Sequence, residues 1–125
     1  MNVNVEQLET AVAELRASLK DGLVATDFFD RKTGLILAGF NSQPAAAALF
    51  TELTNVMGST LSDSGFPGLG KYYFLDLEHH NCVILIKHSP DLLQGMLMDS
   101  KKVNLGILFA VAIPKMIAAA EKALH

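Results

Sequence analysis

Two β-prone runs, KYYFLDLEH (71–79) and NCVILIKHS (81–89), follow one another with room only for a tight turn around His79–Asn81. Strands joined so closely pair antiparallel, because a parallel pair needs a long crossover between its members. Asn81 is the residue expected to take the left-handed conformation in that turn. A second such pair lies upstream, where LVATDFF (23–29) and LILAGF (35–40) flank DRKTG with Asp30 and Gly34 as its turn residues. After the turn SPD (89–91), LLQGMLMD (92–99) reads as a fifth strand.

Helical periodicity fills the intervals. VEQLETAVAELRASLK sets Leu8, Val12, Leu15 and Leu19 on one stripe, with Glu6, Glu9 and Arg16 off it. Asp21-Gly22 ends this helix, with Gly22 expected to accept a positive φ. NSQPAAAALFTELTNVMGSTLSDSG (41–65) reads as a second helix. Asn41 or Ser42 is expected to accept the free N–H groups at its start, and Pro44 suits its first turn. Leu49, Leu53, Val56 and Met57, with Thr60, are expected to form its apolar face. The alanines 45–48 either permit close approach of another helix or simply raise helix propensity. Asn104 opens a final helix running to about Leu124. Gly106–Ile113 is apolar on every side, so the first half of that helix is expected to be buried, with a kink at Pro114. Helix, two strands, helix, three strands, helix makes the class α+β, with a mainly antiparallel five-stranded sheet.

The chain of 125 residues is long enough for one domain, 1–125, with a core needing neither disulfide nor metal. Half of it is hydrophobic and only 18% is charged, an apolar excess that suggests a face covered by another subunit. A membrane span is the competing explanation. The uncharged run Val103–Pro114 is 12 residues, too short to cross hydrocarbon. The net charge of −3, with no basic run longer than Lys101–Lys102, argues against nucleic acid as a partner. Acids occupy the N-terminus where a signal peptide carries Lys or Arg, Asn2 stands where myristoylation needs glycine, and KALH has no prenylation cysteine. A single cysteine, Cys82, fits a reducing cytoplasm.

SDSGFPGLGKYY (62–73) contains Gly65, four residues, then Gly70 and Lys71, the skeleton of a phosphate-cradling loop. Such a loop follows a strand and opens a helix, so that its N–H groups converge with the helix N-terminus on the anion. Here the order is reversed, and Tyr72 replaces the metal-holding Ser or Thr. The glycines are expected instead to turn the chain from helix to strand, with Pro67 restricting the loop.

His79, His80, Cys82 and His88 fall within ten residues and raise metal or thiol-imidazole chemistry. Along one strand Cys82 and His88 stand roughly 20 Å apart at about 3.3 Å per residue, too far to share an ion. A solvated turn for the histidines and a core position for Cys82 are expected. Asp76 and Glu78 share a strand face about 6.5 Å apart and are expected to be solvated or to rim a contact. Ser62, Asp63 and Ser64 have no histidine near them in sequence. KYYFLDL carries large apolar side chains on both faces, Tyr73, Leu75 and Leu77 alternating with Tyr72 and Phe74. At a sheet edge it must be paired or covered.

The element order, with LVATDFFDRKTGLILAGF and MDSKKVNLGIL, resembles the Roadblock/dynein-light-chain family, over residues 4 to 124. The residues that carry the likeness are the turn pair Asp30 and Gly34 and the helix-opening Asn104, Leu105 and Gly106. Pro114 departs from the family's last helix. The resemblance implies a five-stranded sheet with one helix on one face and two on the other. It also implies a homodimer joined through the third strand and second helix, here Ala46, Leu49, Leu53, Met57, Tyr72, Tyr73 and Phe74. The implied role is a non-enzymatic cytoplasmic platform that binds a Ras-like small GTPase and needs no cofactor of its own. Helix phase nominates Thr51, Glu52, Asn55 and Ser59 for that contact. The residues also leave open a small-molecule sensor and an enzyme using Cys82 or the histidines.

Overall fold

The computed structural model describes residues 1–125. Helix α1 (Val5–Leu19) starts where Asn4 Oδ1 accepts the Gln7 N–H at 3.1 Å. Its stripe Leu8, Val12, Leu15 and Leu19 is buried together with Ala11. Each of the larger side chains contributes about 1.5–3 kcal/mol by leaving water. The chain leaves α1 through a 3₁₀ turn, Lys20–Gly22. The positive φ there belongs to Lys20 (φ 50°, ψ −130°), not to Gly22. Gly22 is needed for close approach instead, since a Cβ on it would lie 2.7 Å from the Val103 Cα.

Strands β1 (Leu23–Asp30), β2 (Ile36–Phe40), β3 (Tyr72–Leu77), β4 (Asn81–Lys87) and β5 (Leu92–Asp99) form one sheet in the order β2-β1-β5-β4-β3, with every neighbouring pair antiparallel. In the β1–β2 turn the Asp30 carboxylate accepts from the Lys32 N–H and the Thr33 hydroxyl, and Gly34 takes φ +74°. The β3–β4 turn places the left-handed conformation on His79 and His80, both at φ 60°, rather than on Asn81. Asn81 is already in β4, and its amide donates to the Glu78 and His79 carbonyls.

Alternation along the strands divides the core into two layers. Phe28, Ile84, Ile86, Met96 and Met98 belong to a cluster shared with α1 and the C-terminal helices. Phe29, Val83, Leu85 and Leu93 belong to a smaller one under α2 (Pro44–Asp63). One helix therefore covers one face and the N- and C-terminal helices cover the other.

The entry to α2 is capped from the sheet, not by its own first residues. Asn41 is left-handed and its amide donates to the Val24 carbonyl at 2.9 Å. The Ser42 hydroxyl donates to the Asp27 carboxylate, whose other oxygen accepts the Gln43 N–H at 3.2 Å. Gly39 makes room for this pair, because a Cβ there would collide with both side chains.

The last helix is built in three parts: α3 (Leu105–Ile107), a π-helical turn (Leu108–Ala112) and α4 (Ile113–Ala123). Asn104 Oδ1 accepts the Ile107 N–H at 3.0 Å, the expected cap. Pro114 has no N–H to give and its ring crowds the carbonyl one turn back; a wider turn just ahead of it relieves both. Burial of the first half is not what the structure shows. Leu105, Ile107, Phe109 and Val111 are 48%, 39%, 39% and 46% exposed, and between Gly106 and Ile113 only Leu108, Ala112 and Ile113 are buried.

Candidate functional site

β3 is an edge strand, paired with β4 on one side only. Its free side presents a row of unpaired backbone groups, and its side chains keep that row apolar. Tyr72 and Leu77 are exposed and Phe74 is half-buried. Phe109, from the π-helical turn, extends the aromatic surface, its ring centroid 6.2 Å from Tyr72 and 5.8 Å from Phe74. Sequence periodicity missed Phe109 because a helix apolar all round gives no phase.

Tyr73 points the other way. Its side chain is buried beneath α2, and its hydroxyl lies 3.0 Å from the Thr54 hydroxyl. Burial raises the phenol pKa, and the bond to Thr54 works in the opposite direction. Thr54 also donates to the Phe50 carbonyl at 2.7 Å, so a single buried hydroxyl ties β3 to α2.

α2 is rotated relative to its expected phase. The side facing the sheet is Ala47, Phe50 and Thr54, with Ala46 and Met57 at its margins. Leu49 and Val56, expected inside, are 56% and 53% exposed, Thr60 is exposed and Leu53 is half-buried. The reason is volume. Phe50 fits above Gly95, and the four alanines give the sequence no other marker of the buried side. The result is an outward apolar stripe, Leu49, Leu53 and Val56, on the helix that β3 lies beneath.

Of the residues nominated for a partner, Glu52 and Ser59 are exposed and free of side-chain bonds. Thr51 is half-buried and donates to the Ala47 carbonyl, and Asn55 is held by the Arg31 guanidinium.

The residues with possible chemistry do not converge. Loop 64–71 connects the end of α2 to β3, so no helix N-terminus faces it, and Lys71 Nζ donates to the His88 carbonyl at 3.1 Å. Gly65 alone of its glycines has a positive φ, +75°. Cys82 is fully buried, its thiol pKa raised by burial and by the charges of Asp76 and Asp99. His79 and His80 are exposed, but His88 is not in a solvated turn: it is buried against Phe28, 5.4 Å between ring centroids, with Nε2 2.8 Å from Gln94 Oε1. No group of three or more His, Cys, Asp or Glu side chains is placed to hold a metal ion. No helix is long and apolar enough to cross a membrane. Asp76 and Glu78 are exposed, as are Ser62, Asp63 and Ser64.

Neither a protein-family model nor a curated protein sequence matches the chain. Solved structures do. Myxococcus xanthus MglB superposes with a TM-score of 0.79 at 12% identity, covering 95% of this chain and 88% of that one. An MglB with a tetrameric arrangement gives 0.71 at 18% identity, over 94% and 93% of the two chains. A Roadblock/LC7 domain from Streptomyces avermitilis gives 0.64 at 13%, over 91% and 92%.

The chain carries the Roadblock fold.

Within that Roadblock frame, of the residues the family resemblance named for a dimer contact, Leu49 and Tyr72 are exposed, Ala46, Leu53, Met57 and Phe74 are half-buried and Tyr73 is buried. Phe109 and the exposed residues of α3 add an apolar surface that the resemblance did not indicate.

Proposed function

We propose that this protein is a homodimeric Roadblock-family platform, without catalytic activity of its own, that binds and regulates a Ras-like small GTPase in the cytoplasm. The observation that carries the proposal is an edge strand with an apolar, unpaired rim, β3, lying next to a helix whose leucine-valine stripe faces solvent. Two copies of β3 pairing about a two-fold axis produce one continuous sheet and a self-complementary contact. The same axis brings Leu49, Leu53 and Val56 of the two α2 helices together, with Ala46 allowing close approach. Tyr72, Phe74 and Phe109 anchor the contact, since aromatic side chains dominate the energetics of such interfaces. Tyr73 supports it from within rather than touching the twin.

The paired α2 helices then offer one composite surface, and Thr51, Glu52, Asn55 and Ser59 lie along it as the GTPase-facing residues. The GTPase partner rests on the family resemblance, and the self-association rests also on the likeness to an MglB with a tetrameric arrangement.

The test has two stages. Light scattering should return a mass of twice the 13.5 kDa chain. The purified protein should then capture a Ras-like GTPase from the same genome, more strongly in one nucleotide state. A single copy at high concentration removes the dimer, and a complete panel of such GTPases without a binder removes the partner.

A further inference from the structure

At the end of the sheet where β1 and β4 finish and β3 begins, three cations line one cleft of about 440 Å³: Arg31, Lys71 and Lys87, together with Gly70, His88 and Ser89. Apart from Pro90, no apolar side chain contributes to its wall. None of the three cations has a carboxylate within ion-pair distance, the chain's ion pairs being Lys32–Asp91 and His79–Glu78. Each is anchored by a neutral acceptor instead. Lys71 Nζ donates to the His88 carbonyl and Lys87 Nζ to the Leu69 carbonyl, both at 3.1 Å, and Arg31 donates to the Asn55 side-chain oxygen. An ammonium has three donors and a guanidinium five, so every one of them keeps N–H groups unspent. In a chain of net charge −3, three uncompensated cations around one cleft repel one another, and an anion relieves that repulsion.

A second observation comes from a hydrogen-bond chain behind the cleft. The Thr26 hydroxyl donates to the Gly95 carbonyl at 2.8 Å, so its oxygen accepts from the Gln94 amide nitrogen at 3.3 Å. That orients Gln94 Oε1 toward His88 Nε2, which must carry the proton. Nδ1 of His88 is then a bare lone pair on a side chain only 6% exposed, and it has no partner. That buried acceptor is left unsatisfied, which costs free energy, while the cleft in front of it is lined by three groups that only donate.

We propose that this cleft binds a small phosphorylated ligand, whose phosphoryl oxygens accept from Arg31, Lys71 and Lys87. A lining without Phe, Tyr or Trp, its one imidazole buried against Phe28, offers no platform for a nucleobase, and one without apolar anchors offers little to a protein surface. Gly70 and Lys71, the end of the glycine-rich loop, thus meet an anion from the strand side rather than from a helix N-terminus. Neither a dimer nor a GTPase is required for this binding.

Pyrophosphate is the probe, titrated into the isotope-labelled protein at constant ionic strength while amide resonances are followed. Saturating shifts confined to Arg31, Gly70, Lys71 and Lys87–Ser89 are expected. Removing a lysine, Lys71→Ala or Lys87→Ala, should weaken binding about tenfold each, the usual worth of a charge-assisted hydrogen bond. The pair Lys101→Ala/Lys102→Ala, on the β5–α3 connection, should leave the affinity unchanged. Shifts that never saturate overturn the proposal, as does an equal loss in the Lys101/Lys102 variant. Binding to phosphatidylglycerol vesicles with none to pyrophosphate overturns it in favour of a membrane surface.

Discussion

The ring of Phe50 occupies the space a side chain on Gly95 would need: its Cε2 and Cδ2 atoms lie 2.6 and 2.7 Å from where that Cβ would stand. α2 is seated on the sheet through this contact. Gly95→Ala should force the ring and helix outward and cost about 1–3 kcal/mol, the penalty of overpacking a filled core. Phe50→Leu removes the crowding atoms, so Gly95→Ala should cost less in that background. Urea denaturation of the two single variants and the double variant measures the coupling, and strictly additive losses would mean that the two residues are independent.

The rotation of α2 gives two kinds of variant with different signatures. Phe50→Ala should lose about 3–5 kcal/mol at every protein concentration, as a core truncation does. Leu49→Ser and Val56→Ser should lower the thermal midpoint in a concentration-dependent way, the mark of a weakened association. A concentration-independent loss for Leu49→Ser would place that leucine in the core, the phase expected from the leucine stripe.

Lys20 holds φ 50° and ψ −130°, a region that side chains rarely occupy. Holding a non-glycine residue there costs of order 1–3 kcal/mol. Lys20→Gly should therefore raise stability, by about 1 kcal/mol once the greater freedom of an unfolded glycine is set against the gain. Lys20→Ala should leave it nearly unchanged. Denaturant midpoints of the two variants decide the matter, and a glycine no better than alanine would contradict it.

His88 makes stability depend on pH. Burial lowers its pKa from 6.5 to about 4; the Gln94 bond opposes the shift and the charge of Lys71 adds to it. Between those two values the unfolded chain binds a proton that the folded one refuses. Stability from this group is complete above pH 6.5 and declines as pH falls toward 4, by about 3 kcal/mol. His88→Gln has nothing to titrate, so the loss between pH 7 and pH 4.5, followed by urea midpoints, should shrink by most of that amount. An unaltered pH dependence would show that His88 does not carry it.

The residues that were readable in advance are those whose neighbours along the chain settle their role. Leu8, Val12, Leu15 and Leu19 needed only helical spacing. Asp30 and Gly34 carried their turn in their own side-chain chemistry, and Asn104 its cap. The edge position of β3 was not settled by its residues, since KYYFLDL is apolar on both faces and suits a central strand as well. What stayed hidden depends on contacts distant in sequence. Phe50 faces inward because Gly95, on β5, leaves it space, and His88 is buried because Gln94 and Phe28 receive it. Phe109 joined the candidate surface only once Tyr72 and Phe74 were seen across from it. Beside Gly34 and Gly65, positive φ fell on Lys20, Asn41, His79 and His80, residues without glycine's freedom, where closure of the chain imposes what composition would not choose.

The wide turn at Leu108–Ala112 also counts residues. One amino acid more than an α-helix needs is stored there, and it sets the angle at which everything downstream emerges. Deleting one position there would let the coil tighten and leave α4 in phase. Tightening that stretch to an ordinary α-helix with no residue removed would instead swing α4 by about 100°, the angular step of one residue at 3.6 per turn. Met116, Ala120 and Ala123, now sealed in the interior, would come round toward water. The surplus residue is thus the clocking pin of the C-terminal third of the molecule.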